Sequence, residues 1–332
     1  MKRTKLGSAG PVVSRVGLGL MGLSGTYGPA ERGESIATIH AALDAGITLL
    51  DTGDFYGMGH NELLLADALR GRQREKALIS VKFGAQRGPD GRWLGNDARP
   101  AAVKTALAYS LQRLRTGYID IYRPARLDPQ VPIEETVGAI GEMVQAGYVR
   151  FVGLSEVGVD TIQRAAAAHP VCDLQIEYSL LSRTIEDRIL PACRELGIAI
   201  TAYGVLSRGL IGGSYQAAQG SGNASDIRSR FPRFEGDNLR RNLELVERLR
   251  SIAAAKGASV AQLAFAWALA RGEDILPLIG ARRRPQLEDA LQAVELELDP
   301  EELEQIEQTV QAAEVAGERY GPPEMEALDS ER

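Results

Sequence analysis

The sequence predicts an α/β fold, specifically a (β/α)8 TIM barrel, because short apolar runs alternate with helical patterns along the chain. The eight runs cover residues 16–20, 47–51, 77–82, 118–122, 149–154, 173–177, 198–203 and 275–279. Nearly continuous apolar runs are typical of parallel strands that helices cover on the outside. Eight such units favour a closed barrel over an open doubly wound sheet. A single domain that spans residues 1–332 is therefore expected.

The connections between the runs carry apolar residues at the spacing of an amphipathic helix. The first connection has Ile36, Ile39 and Leu43 at this spacing, and later connections repeat it. Ser259 directly precedes another such pattern and is predicted to cap its N-terminus. The stretch Gly-Leu-Gly-Leu-Met-Gly at 17–22 has the spacing of a dinucleotide-binding glycine motif, but no helical pattern follows it directly. It therefore does not indicate a Rossmann domain.

Four segments lie outside the regular alternation. Residues 1–13 are predicted to form a small hairpin that closes the bottom of the barrel. Residues 204–258, between the seventh and eighth runs, begin with a Gly/Ser-rich loop at 209–226 and continue with a helical pattern at 239–252. Loops this long in a compact domain are usually functional, and here they are expected at the C-terminal ends of the strands. Residues 301–313 are predicted to add a helix, and the polar tail 314–332 either folds over the barrel mouth or stays disordered.

Composition excludes several classes of function. The net charge is −6 and the pI is about 5.4, which argues against nucleic acid or an anionic membrane surface as the main partner. No apolar stretch reaches the roughly 18 residues that a transmembrane helix needs, and the N-terminus lacks the apolar centre of a signal peptide. The two cysteines, Cys172 and Cys193, are expected to be reduced thiols. A cytoplasmic protein is therefore expected.

Three polar residues lie at the ends of the second and third runs. Asp51 ends the second run, Tyr56 follows it, and Lys82 ends the third run. Active sites of such barrels form at the C-terminal ends of the strands, so the three side chains are expected to meet. A Lys beside a Tyr favours the phenolate, and an Asp paired to that Lys would hold it charged and in place. A Tyr so placed can protonate a developing alkoxide, so the trio predicts a proton-donating site.

Several motifs recur in a fixed order between about residues 16 and 291. They are Gly-Leu-Gly-Leu-Met-Gly at 17–22, Asp-Thr-Gly-Asp-Phe-Tyr-Gly at 51–57, Val-Lys-Phe-Gly at 81–84, Tyr-Ile-Asp-Ile-Tyr at 118–122, Gly-Leu-Ser-Glu at 153–156, Gln-Ile-Glu-Tyr-Ser-Leu at 175–180, Tyr-Gly-Val-Leu-Ser-Arg-Gly-Leu at 203–210, and stretches at 61–62, 230–238 and 280–284. In these motifs the chain resembles the aldo-keto reductase superfamily. The resemblance implies a (β/α)8 barrel that reduces aldehydes or ketones with NAD(P)H and without a metal. The implied partner is a small carbonyl compound, and the sequence carries no signal for an oligomeric state.

The resemblance also assigns roles. Tyr56 would be the general acid, Lys82 would lower its pKa, and Asp51 would anchor Lys82. Tyr203 would stack on the nicotinamide, and Ser155 and Gln175 would bind its carboxamide. The full set of implied cofactor residues is Gly19, Leu20, Met21, Ser155, Gln175, Tyr203, Gly204, Leu206, Arg208, Gly280, Arg282, Gln286 and Asp289.

The preference between NADPH and NADH depends on residues after the eighth run. Many family members that prefer NADP have a Lys-Ser pair, an Arg and a Glu-Asn pair there. This chain has Gly-Ala at 280–281, Gln286 and Asp-Ala at 289–290. Arg282, Arg283 and Arg284 still offer charge that could fork onto a 2′-phosphate. NADPH is therefore favoured, and NADH stays open.

The chain departs from the family pattern at two positions. Glu156 stands where many members have Asn, so that cofactor contact is in doubt. The family's catalytic His would fall five residues after Asp120, where this chain has Ala125. The loss of one oriented hydrogen-bond donor typically costs about 3 kcal/mol of transition-state stabilisation.

Arg126, Arg123, His60 or a bound water could replace the missing donor. The residues expected to face the substrate are Phe55, Trp93, Ala125 and Arg126. Two functions therefore remain open at the level of sequence. One is an active reductase, and the other is a regulatory or interaction protein that binds the cofactor but has weak catalysis.

Overall fold

A computed structural model describes residues 1–72, 74–212, 226–311 and 314–332. Most of the predicted Gly/Ser-rich loop and the last two residues of the predicted helix 301–313 lie outside these described residues. The strands are β1 (Arg3–Lys5), β2 (Val12–Ser14), β3 (Gly17–Gly19), β4 (Leu49–Gly53), β5 (Leu78–Phe83), β6 (Ala85–Arg87), β7 (Trp93–Asn96), β8 (Ile119–Pro124), β9 (Val149–Ser155), β10 (Val171–Glu177), β11 (Ala199–Tyr203) and β12 (Ile275–Ile279).

Helices connect the strands along most of the chain. They are α1 (Arg32–Asp44), α2 (His60–Ala68), α3 (Pro100–Leu114), α4 (Ile133–Gln145), α5 (Val159–Ala168), α6 (Ile189–Glu195), α7 (Gly236–Ala255), α8 (Val260–Ala270), α9 (Arg284–Gln292), α10 (Pro300–Thr309) and α11 (Pro322–Glu326). Ser259 caps α8 as predicted, since its hydroxyl accepts from the Gln262 backbone N–H and the Gln262 side chain accepts from the Ser259 N–H.

Eight parallel strands close the barrel. Their order around it is β3, β4, β5, β8, β9, β10, β11 and β12, which returns to β3. This confirms the predicted (β/α)8 barrel, and each of the eight predicted runs contains or overlaps one of these strands. The strands are buried on both faces because alternate side chains point into the barrel or toward the helices. The apolar runs in the sequence are the consequence.

The N-terminal hairpin closes the bottom of the barrel as expected. Strands β1 and β2 pair antiparallel, and the fully buried Leu6 and Val13 pack with barrel residues such as Leu49 and Ile121. The opposite end of the barrel, at the C-terminal ends of the strands, is where active sites form in this architecture.

The loop after β5 contains a hairpin that the sequence did not indicate. Strands β6 and β7 pair antiparallel, and Trp93 at the start of β7 has 44% of its surface exposed. At the other end of the chain, residues 314–332 adopt the first of their two predicted alternatives. Arg319 and Tyr320 of this segment reach residues at the ends of β9 and β11.

In the described parts of the chain, no single helix is both long and apolar enough to cross a membrane. The α7–α8 pair satisfies the length and composition criteria only when the two helices are taken together, and they are bent by 86°.

Candidate active site

Asp51 and Lys82 form a buried ion pair at the C-terminal end of the barrel. Strands β4 and β5 are in parallel register with Gly53 opposite Lys82, which brings the two side chains to adjacent positions. Lys82 Nζ lies 2.5 Å from Asp51 Oδ2, and both side chains are about 5% exposed or less. A charged pair this deeply buried persists only when further hydrogen bonds satisfy its remaining atoms.

Two further side chains satisfy the ion pair. Gln175 Oε1 accepts from Lys82 Nζ at 2.8 Å, and Gln175 Nε2 donates to Asp51 Oδ1 at 2.7 Å. The Ser80 hydroxyl also donates to Asp51 Oδ1, at 3.0 Å. Gln175 thus holds the pair with both ends of its amide, whereas the family resemblance implied a contact with the nicotinamide carboxamide. The amide retains one further N–H and one further lone pair, so these contacts do not exclude one with the carboxamide.

Tyr56 lies beside this pair in a desolvated environment. Its ring centroid is 5.2 Å from Lys82 Nζ, and only 9% of the residue is exposed. Burial, followed by the negative charge of Asp51, raises the pKa of Tyr56 well above its usual value, while the positive charge of Arg126 lowers it. Burial lowers the pKa of Lys82 to about 8, against the opposing effect of Asp51. The expected lowering of the pKa of Tyr56 by Lys82 is therefore not seen, because burial dominates. The phenol keeps its proton at neutral pH, and it lies next to an ammonium that can lose its charge in mild base.

Ala125 follows β8 and leaves no ring at the position of the family's histidine. Its backbone N–H donates to Phe83 O at 2.8 Å, and the residue is 2% exposed. Arg123, two residues earlier on the strand, points into the barrel interior. There its guanidinium binds Asp173 at 2.9 Å and Ser80 at 3.0 Å. Arg123 therefore does not face the space beside Ala125.

The other two proposed substitutes have different surroundings. His60 Nδ1 lies 3.0 Å from the Ser24 hydroxyl, and the residue is exposed. Arg126 is half-buried at the mouth, where it donates to Ala125 O at 2.7 Å and to the Tyr320 hydroxyl at 3.2 Å. Its charge lowers the pKa values of both Tyr56 and Lys82. Of Arg123, His60 and Arg126, only Arg126 affects the pKa values of both Tyr56 and Lys82.

The predicted nicotinamide residues occupy the ends of β9 and β11. Ser155 is buried, and its hydroxyl is one of the few buried polar atoms without a hydrogen-bond partner among the described residues. Buried polar groups rarely lack a partner, so this hydroxyl fits the carboxamide of a bound nicotinamide. Tyr203, at the end of β11, offers an aromatic ring at the same mouth, and its hydroxyl donates to Glu156 Oε1 at 2.6 Å.

Glu156 is a buried carboxylate with a partner that the sequence analysis missed. Arg319, from the C-terminal segment, donates to both of its oxygens, at 2.9 Å and 2.6 Å. Burial by itself raises the pKa of Glu156, but the adjacent Arg319 guanidinium brings it well below the usual range. Glu156 also has a φ of +53°, which is uncommon for a residue with a side chain. A buried Glu in place of Asn was a signal that a cation must lie nearby.

The segment after β11 is the one predicted to close over the pyrophosphate. Gly204 has a φ of +68°, so glycine suits this sharp turn. Arg208 binds Glu177 at 3.0 Å rather than pointing into solvent. The backbone N–H of Ile227 donates to Thr26 O at 3.3 Å, so the far end of this long connection meets the loop after β3. Leu206, by contrast, packs against the hydrophobic core.

Gly19, Leu20 and Met21 end β3 and begin the turn beside Asp51. Gly19 is opposite Asp51 in the register of β3 and β4, and Leu20 N donates to Asp51 O at 2.9 Å. The backbone at these positions therefore lies at the same end of the barrel as the ion pair, which agrees with a role close to the cofactor.

The residues predicted to bind the adenosine end of the cofactor follow β12. Gly280 is exposed, and Arg282 donates to Tyr27 O at 2.9 Å while its own backbone N–H binds the Gln286 side chain. Arg284 is paired with Glu34 at 2.9 Å. Asp289 accepts hydrogen bonds from Ser259 and Gln262 at the start of α8. Among the described residues, Arg283 is exposed and forms no ion pair, in contrast to Arg284.

The predicted substrate residues lie at different depths. Phe55 packs edge-on against Tyr56 with 4.8 Å between ring centroids, and so lies next to the phenol. Trp93 stands on the exposed β6–β7 hairpin. Ala125 and Arg126 border the mouth, as described above.

Comparisons with known proteins decide the family. A profile described as the Aldo/keto reductase family matches residues 15–311. The chain belongs to the aldo/keto reductase family. It is 43% identical over 319 residues to a probable aldo-keto reductase 1 of Glycine max, covering 95% of this chain and 91% of that protein. Members of this family are oxidoreductases that use nicotinamide cofactors.

Solved structures of two aldo-keto reductases share the barrel. The glycerol dehydrogenase of Gluconobacter oxydans superposes with a TM-score of 0.85 at 29% identity, over 96% of this chain and 98% of that one. An aldo-keto reductase of Bacillus halodurans, in its holo form, superposes with a TM-score of 0.77 at 28% identity, over 94% and 97%. Both likenesses extend over nearly the whole aldo-keto reductase barrel described here.

Proposed function

We propose that this aldo-keto reductase converts aldehydes or ketones to alcohols with NADPH, and that Tyr56 is its general acid. The observation that carries the proposal is the buried Asp51–Lys82 ion pair beside Tyr56 at the C-terminal end of the barrel. Burial of charge costs stability, and cofactor binding alone does not require a desolvated ammonium beside a phenol. A proton-donating site requires both groups.

The cofactor fits the residues around the mouth. Ser155, whose buried hydroxyl lacks a partner, and the Tyr203 ring would hold the nicotinamide, and Arg283 would meet the 2′-phosphate of NADPH. A bound nicotinamide supplies a hydride to the carbonyl carbon. The unpartnered Ser155 hydroxyl supports this arrangement because it would gain a hydrogen bond when the carboxamide binds.

The proton reaches the carbonyl oxygen from Tyr56. As the oxygen gains negative charge, the phenol O–H transfers its proton and leaves a phenolate, which solvent later reprotonates. Lys82 stabilises that phenolate through its positive charge, and Asp51 holds Lys82 in place. Ser80 and Gln175 fix the Asp51 carboxylate, so the charges are oriented before the reaction begins.

Arg126 takes the place of the missing histidine as a donor to the carbonyl oxygen. Its guanidinium lies at the mouth next to Ala125, and its charge acts on both Tyr56 and Lys82. Arg123 binds Asp173 in the barrel interior and the exposed His60 lies beside Ser24, whereas Arg126 contacts Ala125 directly. A fixed cation at this point would stabilise the developing alkoxide.

The side chain next to the phenol gives a first indication of the substrate class. Phe55 beside Tyr56 favours aromatic or aliphatic groups next to the carbonyl. The structural neighbour named as a glycerol dehydrogenase suggests that polyols, oxidised in the reverse direction, belong in the same panel.

The test is the consumption of NADPH and of NADH with a panel of aldehydes and ketones, and their formation with polyols. Turnover faster with NADPH is the expected result. Equal or faster turnover with NADH would contradict the assignment of Arg283, while turnover with neither cofactor would contradict the reductase.

A second candidate is a protein that binds the cofactor and regulates or interacts without efficient catalysis. Ala125 at the histidine position is the observation that favours it. Tight NADPH binding, measured by quenching of protein fluorescence, without turnover on any compound of the panel would support this second function.

A further inference from the structure

The C-terminal segment, residues 314–332, is fastened to the barrel mouth at Glu156. Arg319 makes a two-pronged contact with the Glu156 carboxylate, and the Ser330 hydroxyl donates to the same carboxylate at 2.8 Å. Asp329 accepts from the Gly158 backbone N–H at 2.8 Å. Since Glu156 and Arg319 have side-chain exposures of 0% and 7%, the pair is shielded from water. These contacts hold the segment in one position rather than leaving it loose over the mouth.

This fastening places Tyr320 between two residues of the proposed site. The Tyr320 hydroxyl lies 2.9 Å from the Tyr203 hydroxyl and accepts from Arg126 at 3.2 Å. The Tyr320 ring packs edge-on against Phe231, with 5.5 Å between centroids, and under the Arg208 guanidinium at 4.5 Å. The ring is thus held by packing, and the hydroxyl is left to make the polar contacts.

The hydrogen bonds form a chain with one consistent direction. Arg126 can only donate, and Glu156 as a carboxylate can only accept. The Tyr203 hydroxyl donates to Glu156 at 2.6 Å, so it accepts from Tyr320, which in turn accepts from Arg126. A cation at one end and an anion at the other favour this direction at every link.

We propose that Tyr320 is a positioning residue for carbonyl reduction, and that its hydroxyl orients the Arg126 guanidinium toward the space left by Ala125. The inference rests on the proposed function and adds a residue to it. Arg126 has a long, flexible side chain, and its second anchor is the backbone oxygen of the adjacent Ala125. Without the Tyr320 hydroxyl, the guanidinium would lose the hydrogen bond that connects it through Tyr203 to Glu156.

The test is a double-mutant cycle on steady-state reduction. Arg126→Met is expected to lower kcat by roughly 100-fold, as removal of an oriented donor to an oxyanion does. Tyr320→Phe keeps the ring packing and is expected to lower kcat by roughly 10-fold, with little change in the dissociation constant of NADPH. In the Arg126→Met background, Tyr320→Phe is expected to have no further effect, because the residue that it orients is gone.

Tyr178→Phe provides the matched control. Its hydroxyl is likewise held between two polar partners, since it donates to the half-buried Glu186 at 2.6 Å and accepts from Arg271 at 3.1 Å, and neither partner belongs to the proposed site. This variant is expected to lose stability as Tyr320→Phe does but to keep the wild-type kcat. The comparison separates a loss of packing from a loss of orientation.

Three results would overturn the inference. An unchanged kcat in Tyr320→Phe, or the same fold-loss in the wild-type and Arg126→Met backgrounds, would remove the positioning role while leaving the reductase intact. Turnover that does not depend on Tyr56 would instead overturn the proposed function, and the positioning role with it.

Discussion

The Lys82 ammonium lies 2.5 Å from the Asp51 carboxylate, and the pair is buried beneath the barrel mouth. Because the pair is buried, the charge on Lys82 depends on pH near neutrality. The pKa of Lys82 is lowered to about 8, so the ammonium that supports Tyr56 loses its proton within an accessible pH range.

Carbonyl reduction is therefore expected to fall as pH rises through about 8. Below that pH Lys82 is charged and can stabilise the Tyr56 phenolate as it forms. Above it the neutral amine cannot, although Tyr56 itself stays protonated because its own pKa is raised. A profile of kcat/KM against pH checks this, and a rate that stays constant well above that pH would contradict the role of Lys82. Lys82→Met should abolish the pH dependence along with most of the activity.

Asp54 is predicted to destabilise the folded protein above neutral pH. Burial, followed by the charge of Glu62, raises its pKa from 3.8 to about 7. Between these values the folded state binds the proton more tightly than the unfolded state, so the free energy of unfolding falls as pH rises across that window. Asp54→Asn should therefore raise the free energy of unfolding above pH 7, by up to about 4 kcal/mol.

Denaturant unfolding at acidic and at mildly alkaline pH measures this effect. Asp67→Asn is the control with the opposite sign, because contacts with Arg115 lower the pKa of Asp67. A stability of Asp54→Asn equal to that of the wild type at both pH values would contradict the shift at Asp54.

Ala125→His tests whether another group replaces the hydrogen-bond donor that the family's histidine supplies. The residue is 2% exposed, so an imidazole there must fit the space beside the Ala125 methyl group or displace the side chains that border it. We expect kcat to stay within a few-fold of the wild type or to fall. Steady-state kinetics on the same aldehyde decide the matter, and a rise of roughly 10-fold or more would mean that no other residue supplies the missing donor.

Arg283 and Arg284 offer a matched pair for cofactor choice. Arg284 is engaged by Glu34, whereas Arg283 is exposed. Arg283→Ala should weaken NADPH binding by roughly 10-fold without changing NADH binding, since a charged hydrogen bond to the 2′-phosphate would be lost. Arg284→Ala should affect the two cofactors equally. Fluorescence titration with both cofactors checks this, and the reverse pattern would reassign the phosphate contact to Arg284.

The barrel could be predicted because its strands are buried on both sides. Each strand then needs a short apolar run, and the runs survive as a pattern that can be counted in the sequence. The β6–β7 hairpin could not be predicted on this basis. Its residues are largely exposed, so neither Ala85–Arg87 nor Trp93–Asn96 carries the alternation of a half-buried strand.

The candidate site divides in the same way. Asp51, Tyr56 and Lys82 could be placed because each lies at or just beyond a strand end, where barrel geometry brings side chains together. The Glu156–Arg319 pair joins residues 163 positions apart, and local pattern does not indicate which of many arginines meets a given carboxylate. Tyr320 lies at the site because the adjacent Arg319 binds Glu156, so its position could not be predicted without that pair.

The most direct test of the account is the turnover of Tyr56→Phe beside the wild type, with NADPH binding measured on both proteins. Removal of the hydroxyl should abolish reduction of every carbonyl that the wild type accepts, because no proton reaches the oxygen from that position. Cofactor binding should change little, since Ser155 and Tyr203 stay in place. Turnover at the wild-type rate in Tyr56→Phe would contradict the assignment of Tyr56 as the general acid.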